Sequence, residues 1–200
     1  MSASRSTPRL RATVALLGVV LAFVAVSGRP LARGLAGEAL ALAGFACIAC
    51  AALGRIWTSL FIAGRKDTTL VREGPYAALR HPLYALSMLA MLGFGLASGS
   101  IVITLALLVI LGVLYARAAR SEDAFLGGAH GPALERYRRE VPAFLPRWSA
   151  LRMPETLEIR PRVLWKAFLD AGSLLGCYAL LRLADALQAS GVTPTLLILP

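Results

Sequence analysis

Four apolar runs, at residues 12–27, 35–62, 83–98 and 101–116, leave this chain little freedom in how it folds. A helix of about 17 to 25 apolar residues crosses the ~30 Å of hydrocarbon in a bilayer. Three of the runs fall near the lower limit, so flanking residues complete the membrane depth. Composition agrees: 58% of residues are hydrophobic and 16% charged, against about 25% charged in a soluble domain. The expected fold is therefore all-α, a polytopic integral membrane bundle of four to five transmembrane helices in a single domain spanning 1–200. A fifth run, 165–187, carries Asp170, Arg182 and Asp185. Two arrangements stay open for it: a span with its charges near the ends, or an amphipathic surface helix. Arg5, Arg9 and Arg11 before the first run would also suit a signal peptide. An uncleaved first helix is the better reading, since membrane-type sequence continues after it.

The arginines orient the spans. Three precede the first run, five Lys or Arg fall from Arg55 to Arg80, and nine Arg fall from Arg117 to Arg162. The connection 28–34 holds two, and 97–100 none. The positive-inside rule puts the N-terminus, the 55–82 loop and the 117–164 segment in the cytoplasm. The net charge of +10 does not point to nucleic acid, because the arginines bracket apolar spans and form no basic stripe interleaved with aromatics. Membrane lipids are the expected partners, and oligomeric state is left open. Cys47 and Cys50 form a CxxC inside an apolar run, and Cys177 lies in the fifth. With no second ligand pair nearby they read as packing residues, and no metal site is expected.

One stretch does not suit a simple span. GPYAALRHPLYALSMLAML, from Gly74, sets Arg80, His81 and Pro82 at the mouth of an apolar helix. Gly74-Pro75 marks a turn, and Pro82 fits the first helical position. The plain reading is that His81 caps the helix while Arg80 snorkels to lipid phosphates. Yet Glu122 and Asp123 follow the fourth run, and helical spacing aligns Tyr115, Ala119 and Glu122 on one face. The short 97–100 connection makes these two spans antiparallel, which brings histidine and carboxylate to one mouth. The plain reading of the carboxylates is a solvated helix end paired with Arg117 or Arg120. Further on, Glu135 and Arg139 stand i,i+4 on a surface helix. Prolines fix 141–146 as an extended strap over the mouth, and Arg138 is a candidate contact for a substrate phosphate or carboxylate.

The wording of these segments resembles a known family. DTTLVREGPYAALRHPLY is similar to the signature TLVxxGxYxxxRHPxY of the isoprenylcysteine carboxyl methyltransferases and their bacterial relatives, among them phospholipid N-methyltransferases. EDAFL resembles that family's EExxL, and RYRREVPAFLP its YxxxVPxFLP close. The likeness covers about 67–148; the stretch 160–200 lies beyond it as a C-terminal extension. It implies a cytoplasmic segment binding S-adenosylmethionine, in a bacterial inner-membrane enzyme acting on a lipophilic methyl acceptor. Carried over by position, the cofactor contacts are Thr68, Thr69, Leu70, Val71, Tyr76, His81, Leu86, Ser87, Met88, Leu89 and Glu122. His81, Glu122 and Arg117 are the implied catalytic groups, and Arg117, Tyr137 and Arg138 the substrate contacts.

The chain also departs from the pattern. Thr68 stands where relatives often carry histidine, and Ala118, with Arg117 beside it, where a substrate-facing arginine is expected. His130 replaces an aromatic, and Leu134 one of a pair of tyrosines. These changes bear on the acceptor more than on the cofactor, so an isoprenylcysteine-like carboxylate and a phospholipid-like amine both stay open. Two other classes remain: a nicotinamide-dependent membrane reductase with a similar core, and a non-enzymatic membrane scaffold or small transporter.

Overall fold

The computed structural model describes residues 27–28, 34–62, 70–192 and 197–198. The fold is an all-α membrane bundle. Helix α1 is Gly34–Ile62, α2 the short turn Pro75–Ala78, α3 Pro82–Ser98, α4 Ile101–Glu140 and α5 Pro161–Ala189. The expected first span at 12–27 lies outside the described residues except for Ser27, which with Gly28 pairs in parallel with Leu197–Ile198. Among the described residues, α1, Ile101–Gly128 of α4 and α5 are long and apolar enough to cross a membrane, and α3 is a shorter apolar helix. Leu42, Leu53, Leu105, Val109, Phe168 and Leu180 all point outward. Exposed leucines and valines spread over several helices suit lipid rather than water.

Small residues set the packing. Gly44 of α1 and Gly93 of α3 face each other so closely that a Cβ on Gly44 would stand 2.5 Å from the Gly93 carbonyl oxygen. Buried Ala41, Ala51, Ala52, Ala90 and Ala97 extend this thin seam, with Ile48 fully enclosed. Such small-residue seams allow backbones to approach where lipid offers no hydrophobic drive between helices. Two residues, Gly99 and Ser100, turn α3 into α4, and the Ser100 hydroxyl accepts from the Ile103 amide. Ile103, Leu107 and Leu111 form the buried stripe of α4. The antiparallel pairing expected of these two spans is what the structure has.

Two features extend past the sequence reading. Helix α4, expected to extend past the apolar run as far as Glu122, continues to Glu140 and takes in the expected surface helix around 134–139, broken at Gly131 (φ 41°, ψ −118°) ahead of Pro132. The part after the break folds back through Leu134, Tyr137 and Val141 onto Leu70 and Leu126. Helix α5 lies antiparallel along α1, tied by Arg55–Asp170 at one end, Arg182–Glu38 at the other, and Tyr178 donating to the Ala41 carbonyl between them. Of the two arrangements open for it, the structure has a rod packed lengthwise on α1 rather than an outlying surface helix.

Candidate functional site

The end of α1, the start of α3 and the polar part of α4 converge at one end of the bundle. Phe61, in the last turn of α1, packs on Gly74, where a Cβ would stand 2.4 Å from its ring and φ is +57°, a conformation glycine adopts at little cost. Pro75 then starts α2, Leu79 is extended, and His81 takes the N-cap of α3 with φ −120° and ψ 61°. Its carbonyl accepts from the amides of Tyr84 and Ala85, but its imidazole makes no cap bond. The expected capping role is thus filled by backbone alone, which leaves the ring turned toward α4. The 141–146 strap forms as expected. Arg80 and His81 donate their amides to the carbonyls of Pro142 and Ala143, and Arg147 donates to that of Ala78.

The charged groups meet under this strap. His81 is 6% exposed. Its Nε2 lies 3.2 Å from Asp123 Oδ1, in ion-pair range but out of line for a hydrogen bond, and its Nδ1 lies 3.8 Å from Glu122 Oε2. Arg80 Nη1 donates to Asp123 Oδ2 at 2.8 Å, and Arg138 Nη2 reaches the same oxygen at 3.3 Å. Tyr84 donates to Glu122 Oε2 at 3.1 Å. Aromatic rings continue the cluster beside the imidazole: Phe144 of the strap at 5.9 Å, Tyr84 at 5.7 Å, then Tyr115 at 5.3 Å from Tyr84. Burial lowers the His81 pKa below its ordinary value, partly countered by Asp123 and Glu122, so the ring is neutral at pH 7. Burial likewise pushes the Tyr76 phenol up, with Glu122 adding to it, and burial raises Tyr137. Neither phenol ionises near neutrality. Chemically, this leaves a neutral imidazole beside two carboxylates: Asp123, whose Oδ2 accepts from two guanidiniums, and Glu122, which accepts from Tyr84 and has spare acceptor capacity.

Not every residue singled out by sequence comes here. His81, Glu122, Arg138 and the Tyr115–Ala119–Glu122 face do. Thr68 and Thr69 lie outside the described residues. Leu70 packs under Leu134 and Tyr137, with half-buried Val71 beside it in the chain. Tyr137 is a clasp: buried, it donates to the Tyr76 carbonyl at 2.6 Å while Arg72 covers its ring. The turn 86–89 is split among helix faces. Leu86 packs over Gly54 of α1 and Met88 points to Gly112 of α4, while Leu89 joins the core. Ser87 receives Arg55 Nη1 at 2.6 Å and donates to the Leu83 carbonyl. Arg117 is exposed; five residues before Glu122, it sits ~140° around the helix from it. The guanidiniums that reach the carboxylates are Arg80 and Arg138. This corrects the expectations that Arg80 snorkels outward and that the carboxylates pair with Arg117 or Arg120, whose Nε donates instead to the Ala116 carbonyl. Glu135 pairs with Arg138, not with Arg139. Tyr84 and Phe144 were missed; the signal for both was their place inside the quoted motifs.

An all-α membrane bundle with a polar mouth roofed by a proline-fixed strap defines the class. The sequence profile of the phospholipid methyltransferase family matches residues 33–132, from the start of α1 past the Glu122–Asp123 pair. The chain belongs to that family. It is 35% identical over 145 residues to the cobalt-zinc-cadmium resistance protein CzcN of Cupriavidus metallidurans, covering 72% of this chain and 67% of that one. It is 32% identical over 162 residues to the nickel-cobalt-cadmium resistance protein NccN of Alcaligenes xylosoxydans xylosoxydans, covering 81% and 76%. A shorter match, 35% over 81 residues, joins it to the protein-S-isoprenylcysteine O-methyltransferase of Schizosaccharomyces pombe, covering 40% of this chain and 34% of the yeast enzyme. No solved structure matches significantly.

Proposed function

We propose that this chain is an integral-membrane methyltransferase that takes its methyl group from S-adenosylmethionine and passes it to a lipid or small lipophilic acceptor, at a site facing the cytoplasm. The observation that carries the reading is the meeting of His81 with Glu122 and Asp123 at one mouth, from the ends of two antiparallel helices. Family membership and the isoprenylcysteine O-methyltransferase match support it. The arginine-rich flanks at that end support the orientation.

The donor set fits the cofactor. His81 Nε2 and Arg80 Nε are buried without hydrogen-bond partners, beside a carboxylate with spare acceptor capacity and a run of aromatic faces. When bound, S-adenosylmethionine supplies an electrophilic methyl on a positively charged sulfur. Glu122 would hold the cofactor's ammonium or hydroxyls, while the His81 and Arg80 nitrogens would bond its polar atoms. Aromatic walls suit a cation. A carboxylate acceptor needs no base, whereas an ammonium acceptor loses a proton first, and the neutral His81 ring would take it. The strap over the ring keeps water out, so that alignment and desolvation lower most of the barrier. The bacterial relatives' names concern metal resistance.

The test is incubation of the purified protein with methyl-labelled S-adenosylmethionine and a total lipid extract, with the product identified by mass spectrometry. A labelled lipid is expected from the wild type and none from Glu122→Ala, which should still reach the membrane but lose calorimetric cofactor binding. Unchanged binding in that variant, or binding of NADPH in place of S-adenosylmethionine, overturns the assignment.

A further inference from the structure

The strap that roofs the mouth has an outer face as well. Residues 144–153, FLPRWSALRM, contain five large apolar side chains and two arginines with no acidic residue between them. Leu145 is 81% exposed, Trp148 66% and Met153 57%, with Phe144 and Leu151 partly so. This is not loose chain. Arg147 donates its amide to the Ala78 carbonyl, Gly74 donates its amide to the Arg152 carbonyl, and the turn Trp148–Ala150 closes on itself between these two fastenings. Leu145, Trp148 and Met153 are therefore held outward by a braced backbone, while Phe144 keeps its ring beside His81.

Depth decides what they meet. Helix α3 has 17 residues, about 25 Å at 1.5 Å per residue, shorter than the ~30 Å of bilayer hydrocarbon. In α4 the apolar run from Ile101 ends at Arg117, an equally short stretch. A hairpin of this length puts its polar end, with Arg80 and His81, at the boundary between hydrocarbon and headgroups. The strap is hydrogen-bonded to that end through residues 78, 80 and 81, so it lies at the same level and not out in the aqueous phase.

We propose that the outer face of 144–153 is seated in the headgroup layer of the membrane that holds the bundle. Leu145, Trp148 and Met153 enter the acyl boundary, and Arg147 and Arg152 meet the phosphates of anionic lipid. Tryptophan with arginine is the side-chain pairing that suits this layer, apolar at one end and wet at the other. The charge match and the continuity with the spanning helices single out lipid as the occupant, over a second copy or another protein. The inference does not depend on the methyl-transfer reading.

The test uses the full chain in vesicles of phosphatidylcholine with or without phosphatidylglycerol. The wild-type minus Trp148→Phe difference reports Trp148 emission without altering Trp57 or Trp165. A blue-shifted difference spectrum is expected, quenched several-fold more by phosphatidylcholine brominated high on its chains than by aqueous iodide. The preference should grow with phosphatidylglycerol and lose that growth in Arg147→Gln/Arg152→Gln. Water-like emission quenched by iodide overturns the proposal. So does protection that depends on protein density in the membrane, which would mean a second copy covers the face, and so does indifference to phosphatidylglycerol.

Discussion

Replacing Gly44 by alanine probes the contact on which the relative position of α1 and α3 rests. A methyl there would stand 2.5 Å from the Gly93 oxygen, 2.9 Å from the Ala97 nitrogen and 3.1 Å from the Ala97 Cβ. The first contact is about 0.9 Å inside ordinary van der Waals range, which begins at 3.4 Å. Two of the three neighbours are backbone atoms that no rotamer change can move, so the helices must separate. Overpacking of this kind costs about 1–3 kcal/mol, and a backbone clash belongs in the upper half of that range. Alanine returns about 1 kcal/mol through its helix propensity. The net loss is about 1–2 kcal/mol. Gly176→Ala in α5 is the control: nothing lies within 4 Å of its added methyl, so only the propensity gain remains. Thermal unfolding in detergent, followed by tryptophan fluorescence, should place Gly44→Ala below the wild type and Gly176→Ala level with it or above. If both variants unfold together, or if Gly44→Ala is the more stable, the thin seam does not set the helix spacing and the reasoning fails.

Acidification should weaken the fold through His81. Its folded pKa lies below the ordinary 6.5, so the unfolded chain binds the extra proton first; stability is full above about pH 6.5 and falls as pH drops toward the folded value. His81→Gln should flatten the dependence of unfolding temperature between pH 5.5 and 7.5, and a slope retained by that variant would assign it to another group. The tie between Arg55, Asp170 and Ser87 should behave as a unit. Asp170→Asn should cost about 1.5–3 kcal/mol, the scale of a hydrogen bond to a charged group, and a cycle with Arg55→Met should be non-additive, whereas simple additivity would show that the pair is uncoupled.

Much of this architecture could be read from local pattern. The α3–α4 hairpin follows from two apolar runs separated by a connection too short for any other pairing, and the meeting of His81 with Glu122 follows from that hairpin plus helical spacing. The choice of ion-pair partner could not be read in the same way. Asp123 has Arg117 and Arg120 close in sequence, yet it pairs with Arg80, 43 residues away, and with Arg138 beyond the Gly131 break, because α4 turns its carboxylate toward α3 while Arg120 bonds the Ala116 carbonyl. The length of α4 was hidden because its polar second half carries no hydrophobic signal, although Gly131-Pro132 marked the break. The register of α5 rests on pairs 115 and 144 residues apart, and no local pattern encodes those.

Helix α5 carries one more implication. The family profile stops at residue 132, but the carboxylate that neutralises Arg55 comes from Asp170, and Arg55 in turn fastens the first turns of α3 through Ser87. A chain cut after Trp148 would retain every signature residue and still leave the Arg55 guanidinium without its carboxylate. The smallest unit worth reconstituting is therefore longer than the recognisable motif: the ancillary tail is part of the scaffold that keeps the polar end in shape.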